Sequence, residues 1–250
     1  MTSFRRPRIE LAPEDYDVIY ALSDIHGCYQ AMVQAEQRIV RDASTIPGRK
    51  LLLFLGDYVD RGPNSAEVLS HLCAPPPDGF ERHMLCGNHD DVFLKFLIDP
   101  EANTHWLEFG ALPTIQSYGV DIDRLLDDGA TVLDVRDALK QAMPRDHVEL
   151  LFSLSVAVSV GDILFVHAGI RPRIALAQQT DEDLMWIREP FLIDGPQLPL
   201  LVVHGHTPAK YPDFGNGHIG IDTAVSMGGS LTVLKIEGDR KTIFTQTTEP

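Results

Sequence analysis

Five strand-length apolar runs, each closing on Asp, His or Asn, constrain what this chain can fold into more than any other feature. The runs are VIYALSDIHG, KLLLFLGDYVDRG, RHMLCGNHD, DILFVHAG and LLVVHGH. Unbroken apolar runs of this length read as strands buried on both faces. Helical spacing fills the first gaps, in YQAMVQAEQRIVRDAS and SAEVLSHL. Alternation of this kind predicts βαβ units and an α/β fold. Ligands of such sheets collect beyond the carboxyl ends of the strands, and every polar motif here sits at that end.

The remaining segments differ in character. Residues 1–15, with Pro7 and Pro13, predict an irregular arm. Residues 91–150 have helical apolar spacing punctuated by Gly129 and Pro144, which predicts a helical insertion overhanging the strand ends. After His206, the runs HIGIDTA, SLTVLKIEG and KTIFTQTT predict a second sheet. The whole of 1–250 is expected to form a single domain, and 44% hydrophobic residues are enough for its core.

Composition excludes several classes. A net charge of -15 repels phosphate polymers and argues against general nucleic-acid binding. No apolar window is long enough for a membrane span, and MTSFRRPRIE lacks the apolar centre of a secretory signal. A soluble, cytoplasmic protein is expected; nothing here sets its oligomeric state. The three cysteines, Cys28, Cys73 and Cys86, show no CxxC spacing, so neither a disulfide framework nor a thiolate zinc site is expected. Cys28 and Cys86 lie close enough to polar motif residues for oxidation there to inhibit, without a base to make either a catalytic thiol.

The strand ends carry Asp24 and His26, Asp57 with Asp60 and Arg61, Asn88 and His89, His167, and His204 with His206. An Asp after a strand is commonly only a helix cap. Five strand ends supplying Asp, His and Asn together point instead to a metal site, because buried carboxylates and imidazoles need compensating partners. Oxygen and imidazole ligands without thiolate suit manganese, with iron, zinc or cobalt as alternatives. Six ligands oversupply one ion and fit two divalent cations bridged by a shared carboxylate, best placed at Asp57.

DIHG, GDYVDRG, GNHD, VHAG and HGHT resemble the motifs of the metallophosphoesterases, and more narrowly those of bacterial phosphoprotein phosphatases. WLEFGALPTIQSYG, DLMWIREPF and IDTAVSMGGSLTVL extend the resemblance over nearly the whole chain. It implies a calcineurin-like α/β fold of two mixed β-sheets packed as a sandwich flanked by helices. It implies one metal held by Asp24, His26 and Asp57, and a second by Asp57, Asn88, His167 and His206. It places His89 as general acid, oriented by Asp60, and Arg61 and Arg188 as the phosphoryl clamp. His204 is then a buried neighbour, and Arg171 an ordinary surface arginine. Two dications and two arginines outweigh two carboxylates, so the pocket is cationic in an acidic protein. The chain departs from the pattern at Asp90, where many protein phosphatases have Glu, at FGALP and at TAVS. The last two bear on the substrate groove.

The function implied is metal-dependent hydrolysis of phosphate monoesters, with phosphoserine or phosphothreonine in proteins as substrate. The alternative is hydrolysis of dinucleoside polyphosphates such as diadenosine tetraphosphate. A non-catalytic metal-binding protein would have lost a ligand or the acid, and none is missing. If His89 is the acid, His89→Asn slows turnover of alkyl phosphates far more than that of aryl phosphates, by up to about 100-fold. Steady-state kinetics on both classes checks this, and equal losses would remove the role.

Overall fold

A computed structural model describes residues 5–127 and 129–244. The start of the predicted arm, residues 1–4, and the end of KTIFTQTT, from 245 onward, lie outside the described residues. In chain order the strands are β1 (Arg8–Leu11), β2 (Val18–Leu22), β3 (Lys50–Phe54), β4 (Phe80–Met84), β5 (Ala157–Val160), β6 (Ile163–Val166), β7 (Leu201–His204), β8 (Asp213–Gly215), β9 (His218–Gly220), β10 (Val233–Glu237) and β11 (Arg240–Phe244). They form two mixed sheets flanked by helices. One has the order β11-β10-β2-β3-β4 and the other β1-β5-β6-β7-β9-β8.

The unbroken apolar runs follow from where β2 and β3 sit. Ile19, Ala21, Leu51 and Leu53 face the other sheet and pack with Val158, Phe165, Val203 and Ile219. The alternate residues Tyr20, Leu22, Leu52 and Phe54 face helices α1 (Tyr29–Ala43) and α2 (Ser65–Cys73). Both faces are therefore dry, and no position in these strands can be polar without a partner. β2, β3 and β4 run parallel in register, Leu22 beside Phe54 and Phe54 beside Met84, so their carboxyl ends stop level. β6 and β7 run parallel in the second sheet and also end at the seam.

Two sequence expectations need correction. The C-terminal runs do not make one sheet: β9 pairs with β7, whereas β10 pairs antiparallel with β2. Local periodicity shows that these segments are strands but not which edge each will join. The arm is not wholly irregular either, since Arg8–Leu11 pairs in parallel with β5 as an edge strand. Pro7 and Pro13 flank it, where an edge tolerates their missing N–H.

Between β4 and β5 the chain is helical: α3 (Asn88–Ile98), α4 (Leu112–Ser117), α5 (Ile122–Asp127), α6 (Val132–Ala142) and α7 (Arg145–Ser153), with a 3-10 turn at Thr104–Glu108. Two further short helices, α8 (Asp181–Trp186) and α9 (Phe191–Asp194), lie between β6 and β7. No helix among the described residues is long and apolar enough to cross a membrane.

Arg6 braces the arm against this helical layer. It is 4% exposed, its Nη2 lies 3.1 Å from Asp91 of α3, and its Nη1 donates to the Leu151 carbonyl of α7 at 2.9 Å. Truncating one partner of a buried pair strands the other's charge. Arg6→Ala is expected to lower unfolding free energy by about 3–5 kcal/mol in urea titration. A loss below about 1 kcal/mol, the range of a surface pair, would mean that the arm does not brace α3 and α7.

Candidate metal centre and active site

The site is built on backbone that ordinary residues avoid. His26 (φ 44°), Asp57 (φ 53°), Asp60 (φ 70°), Arg61 (φ 68°) and His206 (φ 64°) are all left-handed. Each such conformation costs about 1–2 kcal/mol for a residue with a Cβ. Hydrogen bonds between the loops hold them there. The N–H groups of Ile25 and His26 donate to the Asp57 carbonyl at 3.0 and 2.8 Å. Those of Asp57, Tyr58 and Gly87 donate to the Asp90 carboxylate at 2.8, 2.9 and 2.9 Å. That of His206 donates to Asp24 at 3.0 Å. Asp90 thus acts as a brace for the loop carrying Asp57. Gly205 allows the close approach of strand and carboxylate, since a Cβ there would collide with Asp24 Oδ1.

This backbone brings together His26, Asp57, Asn88, His167 and His206 of the sequence-predicted ligands, while Asp24 accepts the His206 N–H and joins neither ligand triad. Asp57 Oδ2 lies 3.4 Å from His26 Nε2 and 3.4 Å from His167 Nε2. Asn88 Oδ1 lies 2.9 Å from His167 Nε2 and 2.9 Å from His206 Nδ1. Each of His26 and His167 donates its Nδ1 proton to a carbonyl, of Val59 and Leu55 respectively, both at 2.8 Å. Their Nε2 atoms therefore point inward, and buried His26 Nε2 has no hydrogen-bond partner. Ligand atoms about 3 Å apart have the spacing of neighbours around a cation with bonds of about 2.0–2.2 Å. Among the described residues, two triads whose ligand atoms all lie within 4.8 Å of one another form, His26–Asp57–His89 and Asp57–His167–His206. Asp57 belongs to both. His89 satisfies the distance test, but its Nδ1 is committed to Asp60 and its Nε2 faces Arg61, so it is not a ligand candidate.

The charges fit divalent cations. Burial works to raise the Asp57 carboxyl, but the neighbouring imidazoles of His167, His89 and His26 hold it well below the usual range. Burial, reinforced by the charge of Asp222, pushes Asp24 well above it. Burial depresses His26 and His206 to about 3, leaving neutral imidazoles of the kind that bind metals. Burial also opposes charge on His167, yet the Asp57 carboxylate outweighs it and raises that imidazole to about 10. A proton there occupies the place a cation would take between Asp57 and Asn88. Two dications here would more than balance the carboxylates of Asp24, Asp57 and the neighbouring Asp222.

Beside the triads stands a histidine–carboxylate pair. His89 Nδ1 donates to Asp60 Oδ2 at 2.7 Å, and both residues are at most 1% exposed. Trp106 Nε1 donates to the same carboxylate at 3.1 Å and the Thr114 hydroxyl at 3.0 Å. Phe109 stacks on the His89 ring at 4.1 Å, and Arg61 Nη2 lies 3.0 Å from His89 Nε2. Arg61 is otherwise exposed. Arg188 is also exposed, close enough to His206 for its charge to be felt there, and has no ion pair with Glu189 among the described residues. Arg171 instead pairs with Asp183 at 2.8 Å, away from the ligand set. His204 bonds His218 at 3.0 Å in a buried pair and does not join the triads. Cys28 and Cys86 are not ligands, and burial raises both thiols, which keeps them protonated.

The sequence missed Trp106, Phe109, Thr114 and the role of Asp90. Trp106 packs between Phe93 and Phe96, as any core tryptophan does. The available signal was its indole N–H, which must find an acceptor when buried. Trp186 is 37% exposed and tilts against Phe109 at 5.6 Å.

A family model described as calcineurin-like phosphoesterase matches residues 18–226. Among similar proteins, the bis(5'-nucleosyl)-tetraphosphatase PrpE [asymmetrical] of Bacillus velezensis is 27% identical over 94% of this chain and 94% of its own length. That of Geobacillus thermodenitrificans is 28% identical over 86% and 88%. Among solved structures, one provisionally described as a diadenosine tetraphosphatase superposes with a TM-score of 0.62 at 19% identity, over 98% of this chain and 100% of that one. A serine/threonine phosphatase from Saccharomyces cerevisiae gives 0.60 at 16% identity, over 98% and 86%.

Sharing Asp57 between two sites has a measurable consequence. In calorimetric titration with Mn²⁺, Asp57→Asn is expected to weaken both binding steps by more than about 100-fold, beyond the 10–100-fold of an outer-sphere change. Asp24→Asn and Asn88→Ala are each expected to weaken one step. Loss of only one step in Asp57→Asn would rule out the bridging position.

Proposed function

The chain belongs to the calcineurin-like phosphoesterase family, and on that premise we propose that it hydrolyses bis(5'-nucleosyl) tetraphosphates asymmetrically. The observation that carries this reading is a ladder of rings leading from solvent to the dyad. Trp186 tilts against Phe109, and Phe109 lies parallel to His89 with an interplanar angle of 14°. Trp186 also meets His206 edge-on at 6.3 Å. A nucleoside held by its phosphates beside His206 meets an exposed indole face on which its base can stack. The names of the similar proteins point the same way.

The mechanism uses the assembled residues. Two divalent cations, with manganese the choice best suited to this oxygen and imidazole set, would be held by Asp24, His26, Asp57, Asn88, His167 and His206, and supply charge to the phosphoryl oxygens and an acidified water. Arg61 and Arg188 donate to the remaining phosphoryl oxygens. Arg61, which can only donate, leaves His89 Nε2 as it does so; that nitrogen then takes up a proton from water, the Asp60 carboxylate compensating the imidazolium, and turns it to the leaving oxygen. Asp60 holds the Nδ1 proton and so keeps the imidazole in the orientation that delivers from Nε2. Phe109 covers one face of the ring and excludes water from it.

The phosphoprotein reading keeps one observation in its favour. A groove of about 640 Å³ runs from Trp186 along α3, lined by Leu94, Ile98, His105, Phe152 and Met185. Its open, apolar floor suits residues flanking a phosphoserine. A purely metal-binding protein has no use for the His89–Asp60 pair.

Assay of the purified protein with Mn²⁺ on diadenosine tetraphosphate, a phosphopeptide and glycerol phosphate separates these readings. AMP and ATP are the expected products from the first. Trp186→Ala is expected to raise KM for the dinucleotide about 10-fold, the worth of one stacked base, and to move KM for glycerol phosphate far less. Faster turnover of the phosphopeptide would replace the dinucleotide as substrate, and no turnover of any would remove the enzyme reading.

A further inference from the structure

We propose that Trp106 and Thr114 are positioning residues for the general acid: together they fix the rotation of the Asp60 carboxylate that aims His89 Nε2 at the leaving oxygen. The inference rests on the acid role of His89 proposed above. Neither residue belongs to the strand-end motifs. Trp106 lies in the turn Thr104–Glu108 and Thr114 in α4, both in the helical segment between β4 and β5.

The hydrogen-bond directions around Asp60 are fully determined. Its carboxylate is 0% exposed and can only accept, so each contact must bring a proton. His89 Nδ1 brings one at 2.7 Å, and the Trp106 indole brings one shared between Oδ2 at 3.1 Å and Oδ1 at 3.2 Å. The Thr114 hydroxyl brings the third, to Oδ1 at 3.0 Å. A hydroxyl has one proton, so Thr114 Oγ1 must accept in its other contacts. It accepts from the Asp60 N–H at 2.7 Å and from Ser65 Oγ at 3.0 Å. Thr114 therefore ties down both the left-handed backbone of Asp60 and its carboxylate, and Ser65 orients Thr114.

Trp106 supplies rigidity. It is fully buried, with its ring centroid 4.7 Å from those of both Phe93 and Phe96, so the indole N–H cannot swing away. Without these two donors the carboxylate is free to turn about its χ2 torsion, and the His89 ring follows it. Positioning of this kind acts through the acid alone, because neither Trp106 nor Thr114 has a hydrogen bond or ion pair to any of the six ligand candidates.

Substitutions that remove the donated proton test the idea: Trp106→Phe, which leaves a smaller ring in place, and Thr114→Val, which keeps the volume, with Thr114→Ser as the conservative variant. On glycerol phosphate, whose leaving group needs the acid, kcat is expected to fall about 10–100-fold in the first two, part of the full worth of general acid catalysis. On p-nitrophenyl phosphate it is expected to stay within about threefold, with KM little changed on both, and Thr114→Ser is expected to restore kcat. Independently of activity, the His89 Nδ1–H resonance of ¹⁵N-histidine-labelled protein is expected to weaken or vanish in Trp106→Phe and Thr114→Val and to return in Thr114→Ser. An unchanged resonance in both variants overturns the proposal whether or not the protein turns over any phosphoester. Equal kcat losses on the two substrates overturn it too, since they mark a packing defect. Should Thr114→Val fail to fold, Trp106→Phe alone carries both readouts. Absence of phosphoesterase activity in the unsubstituted protein defeats the functional reading and leaves the resonance to decide the positioning.

Discussion

Asp57 is the group on which the rest of the structure depends. Its Oδ2 faces His26 from one sheet and His167 from the other, at equal distances. Its Oδ1 accepts the His89 N–H at 2.9 Å, and its carbonyl accepts from both Ile25 and His26. One residue thus fixes the loops after β2, β3 and β4 relative to the loop after β6. The arrangement is costly on its own. The left-handed residues and the mutually repelling Asp24, Asp57 and Asp222 all oppose folding. The two-faced burial of β2 and β3 offsets this, because each fully buried large apolar side chain contributes about 1.5–3 kcal/mol. The unbroken apolar strands and the strained polar loops are therefore two sides of one requirement.

Much of this was legible in the chain. Apolar runs marked the strands, and helical spacing marked α1 and α2 within a residue or two of their ends. Candidate ligands could be picked out because metal chemistry restricts residue type and a parallel sheet restricts position, and the structure brings His26, Asp57, Asn88, His167 and His206 together. What was not legible is what local pattern cannot carry. The split of β9 and β10 between sheets is a choice among edges. The Asp60 contacts with Trp106 and Thr114 span 46 and 54 residues. Trp106 also looks like any core tryptophan until its N–H is followed to an acceptor.

The two functional layers are carried by different parts of the chain. The strand ends hold the ligand candidates and the dyad, and they constrain the chemistry to phosphoryl transfer with little reference to substrate. The segments between strands supply the rim: Phe109 from the helical segment after β4, and Trp186 and Arg188 from the segment after β6. Insertions there change what is recognised without disturbing Asp57, because its contacts from these segments come from their first residues alone, the opening turn of α3 and His167 directly after β6.

Asp60 is where that separation breaks down. It leaves β3 as part of the strand-end machinery, yet its carboxylate is satisfied from the helical segment. His89 is consequently answerable to both layers. A change that shifts the turn Thr104–Glu108 moves Phe109 over His89 and Trp106 under Asp60 at once, so the rim and the His89–Asp60 pair cannot be altered independently there. The deep anchoring of Trp106 between Phe93 and Phe96 is the physical reason this segment can carry both tasks. It is a loop in connectivity but is packed as rigidly as the core it covers.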